Sequence, residues 1–182
     1  LSEAAKAFSL DRLSRSPSMF DPQKLAWMNA HYIKAMDETN YFSFIRPFIL
    51  KALPKQEHDE KYLYFLAMLF KEQIKSGQEI IDLIAPLFAP LPALEGEAIE
   101  IMALQTTPKV IEAFATALAK VTSIEPEVIK QLFKDIQGNL GVKGKALYMP
   151  IRLKLTGMMH GLEMINIIKV LGQEESLRRL AK

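Results

Sequence analysis

Prolines at the first turns of helices divide this chain into helical segments. The pairs Asp21-Pro22, Thr107-Pro108 and Glu125-Pro126 each place a proline where its fixed φ suits a helix and its missing N–H is not needed. Asp21 and Thr107 are also good N-cap residues. Apolar residues then follow Pro22 at helical spacing, namely Leu25, Met28, Tyr32 and Met36.

The same signals predict helices along nearly the whole chain. One segment, 151–155, alternates apolar and polar residues as a strand does, but Pro150 before it favours a helix that starts there. Asn-Gly or Asp-Gly turns between β-branched runs are absent from the sequence. The predicted helices cover 21–36, 41–53, 58–74, 77–85, 95–104, 107–121, 125–137, 150–155, 162–171 and 174–181. Pro86 is expected to end the fourth of these helices, and Gly138 the seventh. The expected fold class is all-α, an irregular multi-helix bundle that can divide into two helical subdomains.

Three aromatic residues lie on or beside the apolar face of the first of these helices. They are Phe20, Trp27 and Tyr32. Their positions predict that they are buried in the core.

Composition excludes several classes of protein. Hydrophobic residues make up 49% of the 182 residues, which argues against disorder. The sequence has no cysteine and three scattered histidines, so a thiolate or histidine-rich metal site is not expected. An apolar run of membrane-spanning length, a signal-peptide pattern and the common nucleotide-binding and hydrolase motifs are all missing from the sequence.

Positive charge is concentrated at the C-terminal end. Residues 143–182 contain eight Lys or Arg against three Glu, whereas residues 1–142 contain fifteen against eighteen Asp or Glu. A basic end on a slightly acidic body favours an anionic partner. An uneven solvated surface is the alternative that composition leaves open.

Two sequence blocks carry a family resemblance. The first comprises Phe8–Ser14, Lys24–Asn29 and Tyr32-Ile33; the second is Gly141–Gly157, G-V-K-G-K-A-L-Y-M-P-I-R-L-K-L-T-G, followed by His160-Gly161. In this order and at this separation, they resemble the C-terminal, tRNA-binding half of bacterial glutamyl-tRNA synthetase. The family's nucleotide-binding signatures, which belong to its catalytic half, do not occur in this sequence.

The resemblance implies a domain plan and a function. Residues 1–20 would be a junction from a catalytic half outside this chain, 21–88 a first helical subdomain, and 95–182 a C-terminal helical anticodon-binding subdomain. The abrupt start at Leu1 likewise suggests part of a longer protein. The chain would bind tRNA without catalysis of its own, within a parent that ligates glutamate to tRNA using ATP and Mg²⁺. A helical protein-interaction module with an incidental basic end is the competing hypothesis.

The family pattern also implies RNA-contacting residues. Lys143, Lys145, Arg152 and Lys154 would meet phosphates near Tyr148, because phosphates attract Lys and Arg and unpaired bases stack on aromatic rings. Ordinary surface lysines, a core Tyr148 and an Arg152 paired with a carboxylate are the structural alternatives.

A loop and one further position complete the predicted interface. His160, Gly161 and Met164 would lie against anticodon bases, although Leu162 replaces a proline that is common in the family and His160 alone suits an ordinary loop. The resemblance places Gln73 where the family's strict readers of the third anticodon base carry Arg, and a register shifted by two residues would place Lys71 or Lys75 there instead. Gln there would relax the choice of tRNA.

The expected partners follow from these assignments. They are glutamate tRNA and, if Gln73 is permissive, glutamine tRNA as well, with neither DNA nor membrane. A monomeric, cytoplasmic protein without a cofactor or metal of its own is expected.

Overall fold

The computed structural model describes residues 5–6, 8–9, 19–54 and 58–181, and in these ranges it contains α-helices and no β-strand. This confirms the all-α prediction. Most of the predicted 1–20 junction lies outside the described residues. The helices are α1 (Pro22–Ala35), α2 (Glu38–Ala52), α3 (Glu60–Phe70), α4 (Gly77–Phe88), α5 (Glu97–Met102), α6 (Thr107–Lys120), α7 (Pro126–Leu140), α8 (Lys145–Thr156) and α9 (Met164–Leu180). The α9 helix is kinked at Gly172, whose backbone is not helical (φ 75°, ψ 169°), where the sequence predicts a break between two helices.

Aspartate caps define three helix starts. The Asp21 carboxylate accepts hydrogen bonds from the backbone N–H groups of Gln23 and Lys24 at 2.9 and 3.1 Å, as the sequence predicts. Asp37 and Asp59 cap α2 and α3 in the same way. Each cap satisfies N–H groups that have no partner inside the helix.

Three helix boundaries predicted from a proline or a glycine are wrong. Pro86 lies inside α4, Pro150 is the sixth residue of α8, and α7 continues through Gly138 to Leu140. Pro150 and Leu87, which follows Pro86, are buried, so core packing offsets the loss of a helical hydrogen bond in these places. The α7 helix ends instead at Gly141, whose φ of 65° suits glycine.

The helices form two groups that share a core. In the first group α2 packs against α3 and α4, while in the second α6, α8 and α9 pack on one another, with α7 and α5 alongside. One cluster of buried side chains runs through both groups; it includes Tyr41, Phe70, Phe114, Leu118 and Ile151.

Polar contacts also join the two groups. The buried Arg179 donates from Nη2 to the carbonyl of Leu87 (2.7 Å), from Nη1 to that of Leu155 (2.5 Å) and from Nε to Glu175 Oε1 (2.6 Å). The Tyr62 hydroxyl donates to the carbonyl of Val170 at 2.7 Å, and burial raises the pKa of Tyr62 to about 12. The bonds from Arg179 to Leu87 and from Tyr62 to Val170 join residues on the two sides of the proline-rich segment 89–94. The subdomain limits 21–88 and 95–182 stay predictions.

The α1 helix differs from the other helices in its exposure. Of its residues only Ile33 is buried. Phe20, Trp27 and Tyr32 are 78%, 68% and 63% exposed, so the prediction that they belong to the core is wrong. Helical spacing identified an apolar stripe, but the described part of the chain places nothing over it.

Over the described residues, no helix combines the length and the apolar character needed to cross a bilayer.

Candidate nucleic-acid interface

The α8 helix arranges the basic residues of the C-terminal end. Leu147, Ile151 and Leu155 are buried in the core, which fixes the rotation of the helix about its axis. At about 100° per residue, Arg152 lies close to the Lys145 side of the helix, whereas Lys154 lies about 160° away on the far side. The four predicted basic residues therefore do not form a single patch.

Lys145 is already paired. Its Nζ lies 2.5 Å from Glu97 Oε1 of α5, and both side chains are more than half exposed. An exposed pair of this kind is worth little, so an RNA phosphate can replace the carboxylate at small cost. Lys143 is exposed and has no ion-pair partner among the described residues, which leaves its charge available.

Tyr148 forms an aromatic platform beside these cations. Its ring lies 4.6 Å from that of Phe133, which in turn lies 4.9 Å from Phe114 in the core. Tyr148 is nevertheless 41% exposed. A ring that is held on one side and open on the other suits stacking of an unpaired base.

Arg152 links α8 to the loop that follows it. Its Nη2 donates to the carbonyl of Leu162 at 2.6 Å, and partial burial lowers its pKa from the ordinary value. The described residues offer it no carboxylate partner, so the carboxylate pairing given as the structural alternative is wrong; Arg152 bonds to a backbone carbonyl instead. The guanidinium has five N–H donors, and this bond uses one of them.

A cavity opens between α8 and the start of α9. It measures about 630 Å³, large enough for a nucleobase, and Arg152 lies on its wall. The predicted loop residues His160, Gly161 and Met164 also line it, together with Tyr148, Met149, Met159 and Glu163. The structure thus brings four of the predicted residues, and Tyr148, to one place.

Glycine and threonine shape the 157–163 loop. The Gly157 backbone has a φ of 68°, and a Cβ there would lie 2.6 Å from Cδ of Pro92. Thr156 Oγ1 accepts from the N–H of Met158 at 3.1 Å and donates to the carbonyl of Arg152 at 2.9 Å. Gly161, with a φ of 125°, supplies a second turn that favours glycine.

The α9 helix begins at the cavity without a side-chain cap. Its N-cap residue, Glu163, makes no capping hydrogen bond, so N–H groups of the first turn are open to a ligand oxygen. Met164, the first residue of α9, is buried and lines the cavity.

Glu163 is a site residue that sequence reasoning missed. Its carboxylate is exposed at the cavity and at a neighbouring pocket beside Phe133 and Tyr148. A carboxylate accepts hydrogen bonds from base amino groups such as that of cytosine. Its position two residues after Gly161 was the available signal, but positive charge, which defined the predicted site, does not point to an acidic residue.

Gln73 and Lys154 lie apart from the cavity-lining set. The α3 helix ends at Phe70, so Gln73 lies in the turn beyond it and not on a helix extending to residue 74 as predicted; its Nε2 donates to the carbonyl of Leu69 at 3.2 Å. Lys154 instead lines a pocket with Leu180 and residues of α6.

The described ranges contain no cluster of three or more His, Cys, Asp or Glu side chains able to hold a metal ion.

Comparison with known proteins assigns the family. Residues 34–182 match the family model of the anticodon binding domain. Glutamate–tRNA ligases of Bacillus cytotoxicus and Bacillus cereus ATCC 14579 are 37% and 38% identical over 99% of this chain. The chain spans 38% of the length of each of these relatives.

Solved structures agree on the fold. A crystal structure of a glutamate tRNA ligase from Elizabethkingia meningosepticum, in complex with its amino acid, superposes with a TM-score of 0.79 at 18% identity, over 96% of this chain and 34% of that one. The glutamate–tRNA synthetase of Elizabethkingia anophelis gives a TM-score of 0.76 at 18% identity over the same shares. On the family match over residues 34–182, this chain belongs to the anticodon-binding domain family.

Proposed function

We propose that this chain is the anticodon-binding part of a glutamate–tRNA ligase and that it binds the anticodon loop of tRNA between α8 and the start of α9. The observation that carries this proposal is the convergence of Tyr148, Arg152 and the uncapped α9 N-terminus on one cavity. Stacking, cationic contact and backbone donors are the three interactions that unpaired RNA bases and their phosphates require.

Each residue has a defined role in this proposal. Tyr148 stacks on a base, and Lys143 with Lys145 neutralises phosphates. Arg152 holds the loop at Leu162 and directs its remaining donors into the cavity, while Glu163 accepts from a base edge. His160 and Gly161 form the rim, and Met164 contributes backbone N–H. Lys154, on the other side of α8, would contact a more distant phosphate.

The ligation itself belongs to the rest of the parent enzyme. The sequence has none of the common nucleotide-binding motifs, and this proposal assigns ATP and Mg²⁺ to the catalytic half of the parent. In the parent, binding energy from the anticodon loop would help place the acceptor end of the tRNA in the catalytic half. A cytoplasmic, monomeric parent is part of this proposal.

Filter binding to glutamate tRNA over a range of salt concentrations tests the proposal. Affinity is expected to fall steeply with salt because phosphate contacts release counterions, and Lys143→Ala should reduce the log–log slope by roughly 0.7. Tyr148→Ala should weaken binding by about 1–3 kcal/mol through lost stacking. Lys61→Ala, at an exposed lysine on α3, is the matched control and should change neither quantity.

Two results would count against RNA binding at this site. Weak binding that does not depend on salt would favour the protein-interaction module. Equal losses in Lys61→Ala and Lys143→Ala would indicate diffuse attraction with no defined site.

We further propose that Gln73 makes the choice of tRNA permissive. Its amide carries no charge and cannot offer the paired donors of a guanidinium. Binding of glutamate tRNA and glutamine tRNA should therefore be similar, and Gln73→Arg should separate them. A strong preference for one tRNA in the unaltered chain would contradict this proposal.

A further inference from the structure

A second cavity lies between the two helix groups. It measures about 770 Å³, which is within the range of small-molecule sites. Its lining comes from the start of α3 and the residues before it, from the segment 88–91, and from α9 between Lys169 and Arg179. It has no lining residue in common with the cavity between α8 and α9. Ligand sites occur preferentially at boundaries of this kind between packed units.

Two aromatic rings in the lining have fixed orientations. The Tyr62 hydroxyl donates to the carbonyl of Val170 at 2.7 Å, and His58 Nε2 lies 3.1 Å from the carbonyl of Pro54. The centroids of these two rings are 6.2 Å apart. The segment 88–91 adds apolar surface from Phe, Ala, Pro and Leu. A flat ligand can therefore pack in this cavity without a cost for ordering either ring.

Positive charge also lines the cavity. Three cations stand against one carboxylate in the lining: Lys169, Arg178 and Arg179 against Glu175. Arg179 is 7% exposed, and the described residues occupy three of its five N–H donors. Arg178 pairs with Glu175 from an exposed position, and Lys169 Nζ lies 3.5 Å from the exposed Glu125. Pairs with an exposed member contribute little, so an anion can compete for these cations.

These features define the chemistry of a ligand. The guanidinium fork matches phosphate oxygens in pairs, and lysine binds phosphate as a point charge. With three cations against one carboxylate, the lining carries a net charge of +2, which matches a phosphate dianion. We propose that the cavity between the two helix groups, called here the inter-group site, binds a small phosphate ester that carries a planar ring, a molecule of nucleotide size.

The phosphate and the ring occupy different parts of the inter-group site. Arg178 and Lys169 bind the phosphate, while the ring packs against Tyr62 and the segment 88–91. The ligand thus contacts the first helix group and α9 together, next to the kink at Gly172. It opposes movement of the two groups relative to each other. This inference does not depend on RNA binding between α8 and α9.

RNA is the other source of phosphate esters. Each phosphate of an RNA chain carries a single charge and continues into the chain on both sides, whereas a terminal phosphate ester carries nearly two charges on one substituent. The enclosed ring surface and the net charge of +2 therefore favour a free small molecule.

Calorimetric titration of the 182-residue chain with the four nucleoside 5′-monophosphates tests the inter-group site. At least one of them should bind, and at ten times its dissociation constant it should raise the melting temperature by about 3–6 °C, because it binds the folded chain only. The matching nucleoside lacks the phosphate, and inorganic phosphate lacks the ring. Each should bind roughly 10-fold more weakly or worse.

Substitution locates the binding. Arg178→Ala and Lys169→Gln should each weaken the monophosphate roughly 10-fold or more, because each removes a charge-assisted contact. Arg46→Ala is the matched control for Arg178→Ala. Arg46 pairs with Glu60 through Nε and Nη2, as Arg178 does with Glu175, but it lies outside the cavity. This control should leave the affinity for the monophosphate unchanged.

Four results would overturn the inference. They are no binding by any of the four monophosphates, equal affinity for inorganic phosphate, equal losses in Arg178→Ala and Arg46→Ala, and a loss of tRNA affinity in Arg178→Ala without monophosphate binding. The last result would assign the cavity to phosphates of RNA. Filter binding of tRNA to the Tyr148 and Lys143 variants reports on the proposed function separately, so failure of one does not imply failure of the other.

Discussion

The α1 and α8 helices have comparable apolar content but opposite environments. The 14-residue α1 buries only Ile33, whereas the 12-residue α8 buries six residues, among them Leu147, Ile151 and Leu155. The apolar residues of α8 meet α6 and α9, while those of α1 face outward. An apolar stripe therefore shows that a helix needs a partner, but not that the partner is present in the same chain.

The largest expected effect comes from the arginine that ties α9 to α8 and α4. Arg179→Ala should destabilise the chain by about 3–5 kcal/mol, because it leaves the buried carbonyls of Leu87 and Leu155 without a donor. Urea unfolding measures the change. Arg178→Ala is the control, since Arg178 pairs with the same Glu175 from an exposed position, and it should cost far less stability than Arg179→Ala. Equal losses of stability in the two variants would show that Arg179 does not hold α9 to α8 and α4.

The contrast between buried and exposed apolar residues predicts the next effect. Ile151→Ala in α8 should cost about 2–5 kcal/mol in urea unfolding, because it opens a cavity in the shared core. The control Ile99→Ala removes the same atoms from an exposed site and should stay within about 0.5 kcal/mol. A small loss at Ile151 would mean that α8 is no better packed than α1.

Acid should weaken the attachment of α9 by a smaller amount. Hydrogen bonds from Arg178, with Arg179 also contributing, lower the pKa of Glu175 to about 2 from an ordinary value of 4.5. Since the folded-state pKa is depressed, the stabilisation is fully present above pH 4.5 and is lost as the pH falls towards 2. Unfolding at a series of pH values should show a loss on the order of 1–2 kcal/mol over this window. Glu175→Gln should flatten that dependence; an unchanged profile would assign it to other carboxylates.

The smallest effect is expected on the outer face of α1. Trp27→Ala in the 182-residue chain should change the free energy of unfolding by less than about 0.5 kcal/mol, because the ring is largely solvated already. Urea unfolding, read by circular dichroism since Trp27 is the chain's single tryptophan, measures the change. A loss of more than about 2 kcal/mol would show that Trp27 is covered within this chain.

Local signals predicted the helices well where caps and spacing agreed. The α1 helix starts at Asp21-Pro22, and the hydrogen bonds of its N-cap form as predicted because they involve neighbouring residues only. Pro86, Gly138 and Pro150 were misleading because a single residue weakens a helix by a few kcal/mol at most, and burial of its neighbours outweighs that. A helix-breaking residue lowers stability locally, but the packing that offsets this loss comes from residues far apart in the chain.

The candidate site was predictable in part for the same reason. The motif around α8 located Arg152 and the His160-Gly161 loop, and these do line one cavity. Lys154 is separated from them because of which face of α8 enters the core. The pairing of Lys145 depends on Glu97, which is distant in sequence, and the position of Glu163 depends on the geometry of the loop. Such relations have no local signature.

The sequence by itself determined that this chain is helical and where positive charge gathers, since caps, apolar spacing and net charge are properties of neighbouring residues. Tertiary structure alone decided that Arg179 is buried between two helix groups and that Trp27 is not buried at all. Burial depends on what packs against a side chain, and that is set by contacts between residues far apart in the chain.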